Sequence, residues 1–501
     1  MLDTRFGRAK KNIAVSLVCQ LVTLLCGLIV PRVLLAAFGS ELYGATTSIT
    51  QFLSYIALLE GGIGGVARSV LYKPLADSDH ESVSRIMAEI KVFFRVIGCI
   101  FLGYVLIIAC GFKQISGLEA LDWMTSFLLV GAISLSTFGQ YFIGISNAVL
   151  LQAAQRSYIT NFINILATLI NAVAVCILVR LDCGIVTVKL VSSLIFFLRP
   201  VAMWLYVRRK FRLASVRRRK ETYLTQKWSG LGQHIAFYLH SNTDVVILTL
   251  FADLYSVAVY AVYNMIVSHI QSLVTSFTSG MEALFGDMLA RKEYDDLHKA
   301  FGNYETILSL VSVILFGTML TMILPFIRLY TADITDVDYH APALALFLTA
   351  SALLYCLRSP YHALVIAAGH FRQTQAAAYG EAAVNVLLSI VLVHFWGLPG
   401  VAFATMLATA LRFGYYVFYL SKHIFFRKKV LFLRRFLINL LAMSASVAAG
   451  MAVSRVLPID HYAHWAICAC VNCLLIGMIT LAVNFVFCRR ELTDALKKYR
   501  K

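Results

Sequence analysis

Seven ionisable side chains stand where the sequence is otherwise apolar: Arg32, Glu60, Arg68, Asp244, Arg358, Glu381 and Arg412. A charge within a membrane-spanning helix costs at least about 2.5–3.5 kcal/mol near the bilayer centre, so each is a functional candidate. A guanidinium is a planar fork of N–H donors that grips a phosphate through two parallel hydrogen bonds. Arg32, Arg68, Arg358 and Arg412 therefore point to an anionic or phosphate-bearing cargo, whereas a cation exporter would bury carboxylates with few arginines. Asp244, Glu60 and Glu381 are the candidates for coupling or gating. The competing reading for any one arginine is an anchor near a helix end whose charge snorkels to the headgroups. Arg199 and Lys189 are open to the same two readings.

Spacing adds information to type. Arg32 follows Pro31, and 212 residues later stands Asp244, at the corresponding depth of a later helix. Facing one cavity, the two would form an ion pair or an anion site beside a carboxylate. The alternative is that Arg32 reaches outward while Asp244 bonds within its own helix through Asn242 or Thr243. Glu60 precedes Gly61, Gly62, Gly64 and Gly65, a cluster that offers close helix approach or a bending point. Arg358 precedes Ser359-Pro360, where proline frees a backbone carbonyl.

Hydrolytic, nucleotide and metal chemistry find no support. The sequence has no GxxxxGK[ST], HExxH or GxSxG, and His234, His240 and His269 are scattered. Of eleven cysteines, Cys468, Cys470 and Cys473 cluster, but their spacing fits no zinc pattern, and small buried packing residues are expected. The expectation is a protein without cofactor or metal, and not an enzyme.

The elements that must position these residues follow from composition. The chain is 60% hydrophobic and 14% charged over 501 residues, against about 25% charged in soluble domains. Its apolar residues come in runs long enough to cross about 30 Å of hydrocarbon as helices. The expected fold is an all-α polytopic membrane protein with about fourteen spans: 12–34, 43–66, 90–111, 123–148, 158–179, 184–206, 229–251, 257–284, 302–325, 342–366, 374–395, 399–420, 436–456 and 464–488. The basic start runs straight into the first span, which is expected to be retained rather than cleaved.

The net charge of +18 is a matter of topology. With the N-terminus inside, Arg5, Arg8, Lys10 and Lys11, the run Arg208–Lys220, Arg427–Lys429, Arg434, Arg435 and the tail from Arg489 to Lys501 all fall on the cytoplasmic side. The outer loops offer little more than Lys113, Arg180 and Arg328. That asymmetry is the positive-inside rule, with both termini cytoplasmic. It excludes nucleic acid as a partner and leaves membrane lipids. The short outer loops argue against an extracytoplasmic catalytic domain.

An internal repeat organises the spans. Glu41-Leu42-Tyr43-Gly44 is answered by Asp253-Leu254-Tyr255-Ser256, 212 residues on; Leu150–Arg156 by Leu364–His370 and Asn171 by Asn385, at 214; and Leu198-Arg199 by Leu411-Arg412, at 213. The unit is six helices, so both copies start from the same side as parallel repeats. The expected domains are an N-terminal lobe (1–206), a basic cytoplasmic linker (207–228), a C-terminal lobe (229–421), and two appended helices with a basic tail (422–501). Two such bundles around an axial cleft suit alternating access.

Several stretches also resemble the polysaccharide flippases of the MATE-like multidrug/oligosaccharidyl-lipid/polysaccharide superfamily. They are LLEGGIGGVARSVLYKPLADSD (58–79), HSNTDVVIL (240–248), VAVYAVYN (257–264), FTSGMEALFGDMLA (277–290), YCLRSPY (355–361) and AAGHFRQT (367–374). The resemblance runs over essentially the whole chain. It implies a two-lobe, fourteen-helix flippase of a bacterial plasma membrane, carrying undecaprenyl-diphosphate-linked oligosaccharide repeats to the outer leaflet for O-antigen, capsule or exopolysaccharide. Polymerase or ligase machinery would be its partners. It further implies a cationic cavity that places Arg32, Glu60, Asp244 and Arg68 near the path. The alternatives are a drug/cation antiporter or peptidoglycan-precursor flippase of the same superfamily, and, in another class, a membrane-embedded polysaccharide polymerase or glycosyltransferase.

Overall fold

Long apolar runs leave the backbone no partner but itself, and in the computed structural model they are helices almost throughout. The structure describes residues 2–61, 63–211, 213, 231–276, 281–424, 429–456 and 459–489. Most of the linker and the basic tail from 490 onward lie outside these. Among the described residues there is no strand, and twelve helical segments are long and apolar enough to cross a membrane. One of the twelve, Lys11–Glu60, contains the expected span 12–34 and most of the next, 43–66. This is a multi-pass, all-α membrane protein.

The chain divides into two compact units, Met1–Tyr238 with Asp253–Ala258, and Leu239–Ala252 with Val259–Lys501. The first holds α1 (Leu2–Ser54), a 3₁₀ turn (Tyr55–Glu60), α2 (Ile63–Ala76), α3 (His80–Ser116), α4 (Trp123–Gly139), a π turn (Gln140–Gly144), α5 (Ile145–Ala153), α6 (Ser157–Arg180) and α7 (Ile185–Lys210). Next come α8 (Leu231–Phe251) and α9 (Leu254–Ser276), each shared between the units. The second unit continues with α10 (Met281–Ala290), α11 (Tyr294–Tyr330), α12 (Pro342–Ala367), α13 (Phe371–Trp396), α14 (Leu398–His423), α15 (Lys429–Val456) and α16 (Tyr462–Phe487).

Departures from the expected spans have local causes. The first two spans meet with no loop, because Gly39 alone breaks the helix at φ 78°, a conformation that costs glycine no Cβ clash. The second span stops short. Its end tightens into the 3₁₀ turn and halts at Gly61, φ 57°, the first of the clustered glycines. The fourth span carries the π turn, where a Cβ on Gly139 would lie 2.5 Å from the Phe197 ring. Helix α3 begins ten residues before its span because Asp79 caps it, accepting from the amides of Glu81 and Ser82 at 3.1 and 2.9 Å.

One detail of the sequence repeat recurs in the backbone. Helix α5 ends with Gln155 at φ 56°, and α12 with Gly369 at φ 72°, positions 214 apart. The Arg156 amide donates to Leu151 O as the His370 amide donates to Val365 O, and Gln155 to Gln152 O as Gly369 to Ile366 O. Both are the paired terminal bonds of a Schellman motif.

In the first unit α1 packs on α6, and α4 on α7. A Cβ on Gly44 would sit 1.9 Å from the Leu254 carbonyl oxygen, so the first turn of α9, which belongs to this unit, is seated on bare backbone. In the second unit α12, α13 and α14 form one packed group, and α15 and α16 lie against α11. Trp465 Nε1 donates to Met322 O at 3.0 Å there, and Gly450 abuts Thr321. Of the three clustered cysteines only Cys468 is buried, while Cys470 is exposed; the expectation of buried packing fails for Cys470 because it lies on a lipid-accessible face of α16.

Candidate functional site

The second unit gathers three of the sequence candidates into one cluster. Glu381 lies ten residues into the 26-residue α13, roughly 15 Å along the helix axis at 1.5 Å per residue. Its Oε1 accepts from Arg358 Nη1 of α12 at 2.5 Å, and its Oε2 from Arg412 Nη1 of α14. All three side chains are buried, Glu381 at 3% exposure. A carboxylate between two guanidiniums leaves one positive charge unmatched locally, and a buried ion pair stands only when its remaining donors also find acceptors. Arg412 Nη2 meets that demand at the Tyr416 hydroxyl, 3.1 Å away, and the Arg358 guanidinium lies 4.8 Å from the Tyr355 ring centre. Arg412 Nε alone of its nitrogens finds no partner among the described residues.

The cluster continues to Asp244 through neutral groups. His240 of α8 lies 3.5 Å from Glu381 Oε1 through Nε2, and its Nδ1 receives the Asn385 side-chain amide at 3.2 Å. With Nδ1 accepting, the network assigns the ring proton to Nε2. Asn385 also donates to the Thr405 hydroxyl at 3.1 Å, and Thr405 donates to Asp244 Oδ2 at 2.9 Å. The Tyr260 hydroxyl donates to the same carboxylate at 2.7 Å. The bonds of Asp244 thus come from α9, α13 and α14 rather than from its own helix. An ionised Asp244 brings the buried charges of the cluster to zero: two arginines against two carboxylates.

The first unit holds the other candidates. Glu60 ends the 3₁₀ turn, and Tyr141 of the π turn donates to its Oε1 at 2.6 Å. Arg68 donates to Gln152 Oε1 at 2.9 Å, which joins α2 to α5. His234 donates to Ala57 O at 3.0 Å, and Tyr238 to the Ser54 hydroxyl at 2.5 Å. The half-buried Arg32 follows the proline inside α1. The 3₁₀ turn thus carries Glu60 itself, and the π turn carries the tyrosine that donates to it.

A second buried pair escaped the sequence reading. Arg435, which the sequence places with the cytoplasmic basic residues before the span at 436, donates through Nη1 to Glu305 Oε2 at 2.8 Å, and both are buried. Its Nη2 reaches Thr306, and the Tyr361 hydroxyl donates to Glu305 Oε1. The reason is that α15 starts at Lys429 rather than 436, which carries Arg435 inside the helix. Thr405 and Tyr260 do not stand out because they are uncharged polar residues in a span, and His240 reads only as one of three scattered histidines. The one available signal was Asn385, flagged by the repeat and central to the network.

No protein-family profile and no curated protein matches this chain. Solved structures do. The lipid II flippase MurJ in an inward closed conformation superposes with a TM-score of 0.69 at 14% identity, covering 96% of this chain and all of that one. An inward-facing multidrug resistance MATE family transporter of the MOP superfamily gives 0.59 at 14%, covering 80% and 94%. The MATE multidrug transporter DinF-BH gives 0.56 at 17%, covering 84% and 97%. This chain therefore has the fold that these solved transporters share, a lipid II flippase and two MATE multidrug transporters.

Proposed function

We infer that the protein is a flippase for undecaprenyl-diphosphate-linked oligosaccharide repeats, working by alternating access in a bacterial plasma membrane. The observation that carries this reading is coverage. MurJ, a flippase of a lipid-linked substrate, is matched over its whole length and over 96% of this chain, while the MATE structures cover 80–84% of it. Burial of Arg358 and Arg412 beside a carboxylate supports the same reading, because moving a diphosphate through hydrocarbon demands cations at mid-depth. In this reading Glu381 occupies the guanidiniums when no cargo is present, and an arriving phosphate competes for them. Arg32 and Arg68 bind along the path, while Glu60 and Asp244 gate it. Residues 1–206 and 229–421 act as the two lobes, joined by a cytoplasmic linker, with both termini inside.

A second reading, a flippase of peptidoglycan precursor, is favoured by the MurJ likeness itself. Reconstitution in vesicles decides between them. Labelled undecaprenyl-diphosphate oligosaccharide should become accessible on the far leaflet at a rate that lipid II and cationic dyes do not match. Transport of lipid II alone would select the second reading, and transport of dyes alone would overturn both. In a deletion strain, finished repeats should collect on the inner leaflet; collection on the outer leaflet would point to a polymerase or ligase. Reporter fusions within 207–228 should read cytoplasmic.

A further inference from the structure

Between α12, α14 and α15 the second unit leaves a lateral crevice of about 420 Å³, lined by Leu354, Phe413, Val417, Val430, Leu433 and Phe436. Its existence follows from how α15 is held. That helix packs on α11 and α16 and touches α14 only sparsely, and the buried Arg435–Glu305 pair ties it to α11 at the crevice wall. Because Arg435, Glu305, Thr306 and Tyr361 satisfy one another, the charged pair asks nothing of an occupant. The mouth faces outward: Val430 is 71% exposed, Phe418 59% and Leu433 58%.

We propose that this crevice is a binding site for one acyl chain of a glycerophospholipid, held as a structural lipid. Three observations select that occupant. Along α15 the lining runs from Val430 to Asn439, about 13 Å at 1.5 Å per residue, close to the roughly 15 Å of hydrocarbon in one leaflet. Its 420 Å³ holds roughly fourteen methylenes, if each fills about 30 Å³ as a water molecule does. An undecaprenyl chain has several times that carbon count and would leave most of its length outside the crevice. The site also begins at the helix ends, where Lys422 is exposed in the last turn of α14 and attracts a phosphate headgroup. An empty apolar crevice facing lipid would forfeit the dispersion contacts of its lining, so a chain that matches it in length and volume is retained while bulk lipid exchanges.

The test needs no transport assay and rests only on the chain spanning a membrane. Full-length protein is purified in detergent, extracted, and its phospholipid measured by mass spectrometry. About one phospholipid per chain is expected. Gly414 lines the crevice and has open space around its Cβ position, so Gly414→Phe should lower retention several-fold. Val486→Phe, on an exposed stretch of α16, should not. Sub-stoichiometric lipid, equal retention in both variants, or a polyprenyl species in place of phospholipid would overturn the proposal. Should Gly414→Phe fail to fold, a phospholipid with a diazirine in its acyl chain, cross-linked to the wild-type protein, gives the answer. Adducts concentrated on 413–418 and 430–439 support the site, and adducts spread over other lipid-facing helices refute it.

Discussion

Arg358 Nη1 stands 2.5 Å from Glu381 Oε1 in the interior of the second unit, and Arg412 closes on the other carboxylate oxygen. Removing the shared carboxylate leaves two buried cations without a counter-charge, the costliest way to break such a pair, at about 3–5 kcal/mol. Glu381→Gln should therefore lower the melting temperature sharply in detergent. The triple variant Arg358→Met, Glu381→Leu, Arg412→Met should regain most of that stability, because apolar replacement of a whole buried ion cluster is often neutral. If the cluster serves transport, the triple variant folds and does not transport. A triple variant that transports normally would reduce the cluster to scaffolding.

Asp244 allows a cleaner separation of charge from shape. Asparagine keeps the size of the side chain and accepts from Tyr260 and Thr405 through its one carbonyl oxygen. Asp244→Asn should shift stability by no more than about 1–2 kcal/mol, the scale of one hydrogen bond to a charged group, while transport falls at least tenfold. Unchanged flipping in vesicles would show that the carboxylate's charge has no part in gating.

At Gly44 the forecast is steric. A Cβ there would lie 1.9 Å from the Leu254 carbonyl oxygen, and backbone cannot rotate away as a side chain can. Gly44→Ala should cost at least about 1–3 kcal/mol, the range for overpacking, and Gly44→Val more. Gly414→Ala, with open space at its Cβ, is the matched control. Thermal unfolding of the two alanine variants, side by side, checks the claim.

Asp79 supplies a pH dependence outside the membrane spans. Hydrogen bonds from Ser82, hydroxyl and then amide, hold its carboxyl below the usual carboxylate range. The folded state therefore prefers the ionised form. The stability this contributes is fully present above the unfolded value of about 3.9 and is lost as pH falls through the depressed folded value. The first turn of α3 should show falling hydrogen-exchange protection at the Ser82 amide under acid, after correction for intrinsic rate. Asp79→Asn, which caps without titrating, should flatten that profile.

Much of this architecture was readable in advance because hydrocarbon leaves so few options. Uninterrupted apolar runs of helix-spanning length admit one secondary structure, so the all-α polytopic fold followed from the residues alone. The link between Leu150–Arg156 and Leu364–His370 was legible too, and the helix-ending motif at Gln155 and Gly369 gives those weak letters a common backbone. The site was half legible. Charges announce themselves by what they cost in a span, which singled out Arg358, Glu381 and Arg412 without revealing that one carboxylate serves both arginines. Arg435 was misread because a hydropathy boundary falls where apolarity fades, whereas the helix extends as far as its ion pair and packing support it. The network through Tyr260, Thr405 and His240 was not legible, since a hydroxyl or imidazole in a helix becomes part of a network only when another helix delivers its partner.

The single-residue break at Gly39 also bears on how the protein can be handled. With helix on both sides of it, that end of the first unit offers a protease no extended segment to bind and an inserted epitope no slack to absorb it. The stretch from Thr331 to Ala341, between α11 and α12, is long enough to take a tag or a cut. Probes of surface exposure placed there should register, whereas the same probes at Gly39 should disrupt folding before they report anything.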